Sequence, residues 1–319
     1  MRTFFSALSL AVVAAVLAAC SSGTPLRATP SQAALPGWLA PDAKSKPGPL
    51  LYVSVEGSSK VLIYPESDYN HSPIGTITSG VNDPWGLYVD KNGNLYVANQ
   101  TNTVTVYPAG SVYPSATYSQ GLCHPLFAMV DHQGDVFVAN GRACGGGHAT
   151  MVEYLPGSTN PYQVFQTPGT ELDGIDFDLQ GNLYLAYRVT TNRGHGSIEK
   201  FAPGSTQGQI LGMTVHKPQG LIVDSQGNVV VVETAHTSRD VVVFAPGARH
   251  PSARVKLPEG SIPNQLALTE KEDKLFVSSY NNGYVYVTDY PLTKGSTWTE
   301  VEEAGAVIQG VALSNDQVF

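Results

Sequence analysis

Residues able to hold a ligand recur in this sequence at two equivalent positions of a repeated unit. One position lies just before an apolar run and holds Trp85, Leu126, Asp173, Gln219, Asn264 and Gln309. The other closes the apolar run that follows and holds Val55, Asn99, Asn140, Tyr187, Glu233 and Ser279. If the runs are antiparallel strands set around a ring, both sets converge on one mouth of that ring. Amides, two aromatics and two acids at such a mouth suit hydrogen bonding and stacking against a polar ligand such as a sugar or peptide. The ligand-binding expectation therefore rests on Trp85, Asn99, Asn140, Asp173, Tyr187, Gln219, Glu233, Asn264 and Gln309. A hydrated mouth with no dedicated ligand is the other way to read the same residues.

Other chemical candidates are weaker. The recurring Asp-x-x-Gly-Asn, as at Asp90–Asn94 and Asp178–Asn182, superficially suits a cation. It lacks the run of ligands and the distal Glu of a calcium loop. An Asp side chain closing a turn whose Gly takes a left-handed conformation explains it better. Five histidines, His124, His148, His195, His216 and His236, fall on loops at the candidate mouth, but none has metal-motif spacing. There is no Gly-x-Ser-x-Gly and no phosphate-binding loop. No catalytic residue, metal ligand or cofactor is assigned from the sequence.

Three cysteines remain to be placed. Cys123 precedes one apolar run, and Cys144 follows its antiparallel neighbour in the same unit. Both loops should emerge at one end of the unit, close enough for a disulfide. The alternatives are two free thiols or a Cys–His metal site with His124 and His148. The third, Cys20, closes a leader segment described below.

The elements that must position these residues form a series. An apolar strand ends in Asp, a Gly-containing turn follows, and a second strand begins, as in Gly86–Val97, Gly174–Leu185 and Gly220–Val231. The equivalent positions Asp90, Asp131, Asp178, Asp224, Thr269 and Ser314 are spaced 41 to 47 residues apart. An independent marker, the aromatics Tyr64, Tyr107, Tyr154, Phe201, Phe244 and Tyr290, keeps steps of 43 to 47. A period in the mid-forties with several short strands per unit predicts an all-β, six-bladed β-propeller with four-stranded blades. The first unit lacks an inner strand, and Gly310–Ser314 is an inner strand without a blade. Pairing Gly310–Ser314 with Leu51–Val55 would close the ring and remove two exposed sheet edges.

The pattern from Pro84 to Val97 (Pro-x-Gly-apolar-x-apolar-Asp-x-x-Gly-Asn-apolar-Tyr-Val) resembles the NHL-repeat propellers and the wider group containing the gluconolactonase/regucalcin family. The resemblance covers most of residues 50–319 and implies a fold more than a chemistry. Leu172–Asp178 is similar to the regucalcin-family stretch Pro-Asp-Gly-Met-Cys-Ile-Asp, whose first Asp has metal and base roles. Only Asp173 carries over, since Leu126 and Gln309 stand where that family has Asn and Glu ligands. The Trp-Phe-Thr-Glu of streptogramin-lyase-like propellers is absent. A metal-dependent hydrolase or lyase of these kinds is the runner-up to a binding module.

The flanks and the charge set the surroundings. Arg2, the uncharged apolar stretch Phe4–Leu17, and Leu17-Ala18-Ala19-Cys20 resemble the leader and lipobox of bacterial lipoproteins. The expectation is a signal peptide at 1–19, a lipidated flexible tether at 20–48 attached through Cys20, and a propeller at 49–319. The expected location is the cell envelope, outside the cytoplasm, with the membrane as one partner. The others are a polar small molecule, sugar or peptide, or an envelope protein. A net charge of −8 repels phosphate backbones and argues against nucleic acid.

Overall fold

The computed structural model describes residues 48–70, 72–141, 147–188, 195–234, 239–302 and 307–314. The expected leader and tether, with Cys20, therefore lie outside the described residues, as do Cys144 and His236. Among the described residues no helix is long and apolar enough to cross a membrane.

Six antiparallel sheets make six blades, so the fold is an all-β propeller. The second blade runs outward through Pro84–Val89, Leu95–Asn99, Thr103–Tyr107 and Ala116–Tyr118. The third to sixth blades repeat this order, from the inner strands Pro125–Val130, Glu171–Phe177, Pro218–Val223 and Pro263–Leu268. The fourth carries an extra short strand, Val215–His216, on His195–Phe201. Val-rich runs such as Val229–Glu233 are buried along their whole length, because blades stack face to face and leave the central strands no solvated side.

The first blade takes its inner strand from the far end of the chain. Ile308–Leu313 pairs antiparallel with Leu50–Val55, with Leu51 opposite Leu313 and Val53 opposite Val311. Ser314 extends the seam: its N–H donates to the Leu50 carbonyl at 2.8 Å, and its Oγ accepts the Leu50 N–H at 2.6 Å. This is the closure expected from the orphan strand.

The repeated Asp closes turns. Oδ1 of Asp90 accepts the N–H groups of Asn92 and Asn94, both at 2.8 Å, and Oδ2 accepts the Asn94 side-chain amide. Asp131, Asp178 and Asp224 accept the equivalent N–H groups. Gly93, Gly134, Gly181 and Gly227 take positive φ in these turns, as a left-handed turn position requires.

Near the axis, glycine sets how closely the inner strands approach. A Cβ on Gly174 would lie 2.7 Å from the Gln219 carbonyl oxygen, and one on Gly220 would meet the Asn264 backbone. Gly86 and Gly310 are similarly crowded. Gln265 fills the centre. Its side chain bonds Leu87 of the second blade and Val311 of the first. A bond between inner strands of non-adjacent blades has to pass inside the ring, so this amide bars the channel.

Candidate functional site

Every inner strand carries one residue more than its partner strand at the same place. Pro84 faces Asn99 while Leu87 faces Val97, so Trp85 and Gly86 oppose Ala98 alone. The register slips in the same way around Leu126, Asp173, Gln219, Asn264 and Gln309. The sequence reading put these residues just before the inner strands. They lie inside them, on β-bulges. A bulge bends the strand and re-aims one side chain, so the alternation that buries the rest of the strand is interrupted once per blade at the mouth.

The loops leading into these bulges are locked from two sides. The Asn99 and Asn140 Oδ1 atoms accept the N–H of Asn82 and Cys123, each at 2.9 Å. Glu233 Oε1 accepts that of His216 at 2.8 Å, and Ser279 Oγ that of Ile262 at 3.1 Å. In return the N–H of Gln100, Gly141, Thr234 and Tyr280 donates to the carbonyl of Asp83, His124, Lys217 and Ile262. Asp83, His124 and Lys217 each precede an inner-strand proline and take positive φ, from 45° to 52°, a costly conformation for such a residue.

The same side chains belong to the expected site, and the structure gives each its surroundings. Asn99, Asn140, Tyr187 and Glu233 occupy the equivalent register expected of them, and like Asp173, Asn264 and Gln309 they are buried, at 0 to 4% exposure. Asn99 also donates to Thr103 and Thr105, and Asn140 to Thr150 and the Gly121 carbonyl. Glu233 takes Arg254, which bridges to Asp240, at 2.7 and 2.6 Å. Tyr187 lies against Gly169, where a Cβ would have no room. At the ends of the second strands the mouth is lined by the residues one position later, Gln100, Gly141, Arg188, Thr234 and Tyr280. Strand side chains alternate, so a one-residue offset exchanges the faces.

Two adjoining clefts share Trp85 and Gln219 and together form the floor of the mouth. One, of ≈ 350 Å³, lies over the second to fourth blades with Glu171, Asp173 and Arg188. Arg188 grips Asp173 with two bonds, Nε–Oδ2 at 2.6 Å and Nη2–Oδ1 at 2.8 Å, and also pairs with Glu171. Burial pushes the Asp173 carboxyl up to about 6 against the opposing pull of Arg188. The other cleft, of ≈ 280 Å³, lies toward the fifth and sixth blades and is lined by Lys217, Arg239, Asn264, Tyr280 and Gln309. Asn264 donates to Gln309 Oε1 at 2.9 Å, and Gln309 donates to Glu56. Glu56 also accepts from Gln100 at 3.0 Å, so this chain of bonds spans three blades. Trp85 stands 6.4 Å from Tyr280, ring to ring, and its Nε1 is buried with no hydrogen-bond partner.

Metal chemistry finds little support in this arrangement. Among the described residues no three His, Cys, Asp or Glu side chains lie close enough together to hold an ion. Asp173, the one residue carried over from the lactonase resemblance, already has both oxygens on a guanidinium where a divalent cation would need them. His195 and His216 are ring neighbours at 5.2 Å, His124 lines the first cleft, and His148 Nδ1 contacts the Pro168 carbonyl. Cys123 is disulfide-bonded; the expected partner, Cys144, is outside the described residues.

No family model and no curated protein matches this chain. Among solved structures it is similar to Kuenenia stuttgartiensis hydrazine synthase, with a TM-score of 0.53 at 14% identity over 83% of this chain and 80% of that one. That likeness concerns the propeller fold alone. Some 1433 solved chains match at a comparable standard, and a fold so widely shared does not select a chemistry.

Proposed function

We propose that this protein is an envelope lipoprotein, anchored through Cys20, whose propeller binds a polar ligand or partner at the mouth formed by the six bulged inner strands. The observation that carries the binding reading is the bulge itself. Six equivalent irregularities place Trp85, Leu126, Asp173, Gln219, Asn264 and Gln309 together over a channel that Gln265 bars. Trp85 and Gln219 line both clefts, and among the described residues the Trp85 Nε1 has no hydrogen-bond partner. The buried, paired state of Asp173 favours binding over metal-assisted hydrolysis.

The anchor is read from the Leu17-Ala18-Ala19-Cys20 stretch. Two acyl chains on Cys20 would hold the propeller at a membrane surface stably, where one would not. The tests are independent. Cys20→Ser should move the protein out of the membrane fraction or stop its maturation; unchanged processing and partitioning would remove the anchor. A carbohydrate, peptide and metabolite array should yield a ligand whose binding falls at least tenfold in Trp85→Ala and Gln219→Ala. A ligand unaffected by both would place recognition elsewhere.

A further inference from the structure

The two clefts of the mouth differ in charge. The first holds Glu171 and Asp173 with Arg188, which is spent on both. The second has Lys217 and Arg239 in its lining and no carboxylate at all. Several other cations of the blades are committed: Arg254 to Glu233 and Asp240, Lys200 to Asp178, Lys274 to Asp289. Among the described residues neither Lys217 nor Arg239 has an ion-pair partner. Lys217 acts weakly on Asp173, whose carboxylate is already held by Arg188. In a chain of net charge −8, two half-buried, uncompensated cations sharing one cleft mark a place for an anion.

The rest of the lining describes the body of that anion. Trp85 and Tyr280, inclined by 31°, offer two apolar ring faces. Gln219 offers an amide, which donates and accepts as hydroxyl groups require, while Asn264 and Gln309 line the cleft from buried positions, bonded to each other. The Trp85 indole N–H is buried without an acceptor. Resting on the mouth being a ligand site, we propose that its basic half recognises an acidic saccharide. The carboxylate lies between Lys217 and Arg239, a sugar ring lies against Trp85 and Tyr280, and hydroxyls meet Gln219.

The probe is a galacturonic acid trimer, followed by Trp85 fluorescence and calorimetry on the whole mature chain. Its methyl ester is the uncharged control, and tri-glutamate carries the charge without the sugar. The acid should quench emission saturably, more weakly as salt screens the cations, and the quench should vanish in Trp85→Phe. The ester and tri-glutamate should each bind at least tenfold more weakly. Lys217→Asn, which tolerates the left-handed backbone, and Arg239→Gln should each weaken the trimer about tenfold while leaving the melting temperature in place. Equal binding of acid and ester, equal binding of tri-glutamate, or full affinity in both folded variants would overturn the proposal. Failure of the trimer alongside a neutral array ligand that Trp85→Ala releases would overturn this inference and leave the mouth as the site. Insensitivity of every ligand to Trp85 and Gln219 would remove both.

Discussion

The side chain of Gln265 pairs with the backbone of Leu87 on both sides: its Nε2 donates to the Leu87 carbonyl at 2.6 Å while its Oε1 accepts the Leu87 N–H at 3.0 Å. The same Oε1 accepts the Val311 N–H at 3.2 Å. One amide thus satisfies three backbone groups on two blades other than its own. Gln265→Leu should leave those groups without partners at about 1–3 kcal/mol each, less whatever water restores. An unfolding midpoint lowered by the equivalent of about 3 kcal/mol is expected in denaturant titration. A change below 0.5 kcal/mol would show the channel to be wet already.

Asn99 and Gln100 make a paired test of the one-residue offset. Asn99 is buried and accepts the Asn82 N–H, so Asn99→Ala should cost about 2 kcal/mol in stability. Gln100 lines the mouth, and its side-chain amide donates to Glu56. Gln100→Ala should change stability by less than about 0.5 kcal/mol while altering ligand binding. The reverse outcome, measured by thermal melts and binding on both variants, would make Asn99 the ligand-facing residue and Gln100 the structural one.

That offset also marks how far the sequence could be read. The period of Asp90, Asp131, Asp178 and Asp224, and the buried aromatics Tyr64, Tyr107 and Tyr154, identify blades because turn chemistry and packing repeat. The orphan run at Gly310–Ser314 identifies the seam for the same reason. The mouth was legible only in part. The spacing gives equivalent positions from blade to blade, but the residue types carry no sign of which of two neighbours, Asn99 or Gln100, lines a cleft. An amide such as Asn99 serves a buried loop lock as well as a ligand. Gly86, Gly174, Gly220 and Gly310 were the available signal for the bulges. The Arg188–Asp173 pair was beyond reach, since nothing in the residue types says that a lone Arg at one strand end will meet a lone Asp on the next.

Asp173 should leave a pH signature. Its carboxyl is raised from 3.8 to about 6 in the folded protein, chiefly by burial. Between those values the native state binds the proton more tightly than the unfolded chain. Stability from this group is therefore complete below about pH 4 and declines as pH rises to about 6. With one unit worth about 1.4 kcal/mol, wild type should lose on the order of 1–3 kcal/mol relative to Asp173→Asn across that window. Unfolding free energies of the two proteins at pH 4, 5, 6 and 7 decide it. Parallel curves would mean that Arg188 keeps the carboxylate ionised throughout.

The seam should be indispensable. A chain ended at Val307 loses the buried Ile308, Val311 and Leu313, about 1.5–3 kcal/mol each. It also loses the ladder to Leu50–Val55. That loss rivals the whole stability of an ordinary domain, ~5–15 kcal/mol. Near-UV circular dichroism should be lost and a hydrophobic dye should bind. A cooperative melt retained in the truncated chain would count against the seam.

The position of that seam also imposes an order of events. Leu50–Val55 is the earliest strand of the ring to be synthesised, and its neighbour Ile308–Leu313 is the last. Until residue 313 has emerged, the first blade keeps a bare hydrogen-bonding edge and the circle stays broken. Blades two to six can form in sequence from local hairpins, whereas the final join waits on a contact between residues some 260 positions apart. The chain therefore spends its whole synthesis in a state that can still be threaded, and also in one that can adhere to its own kind.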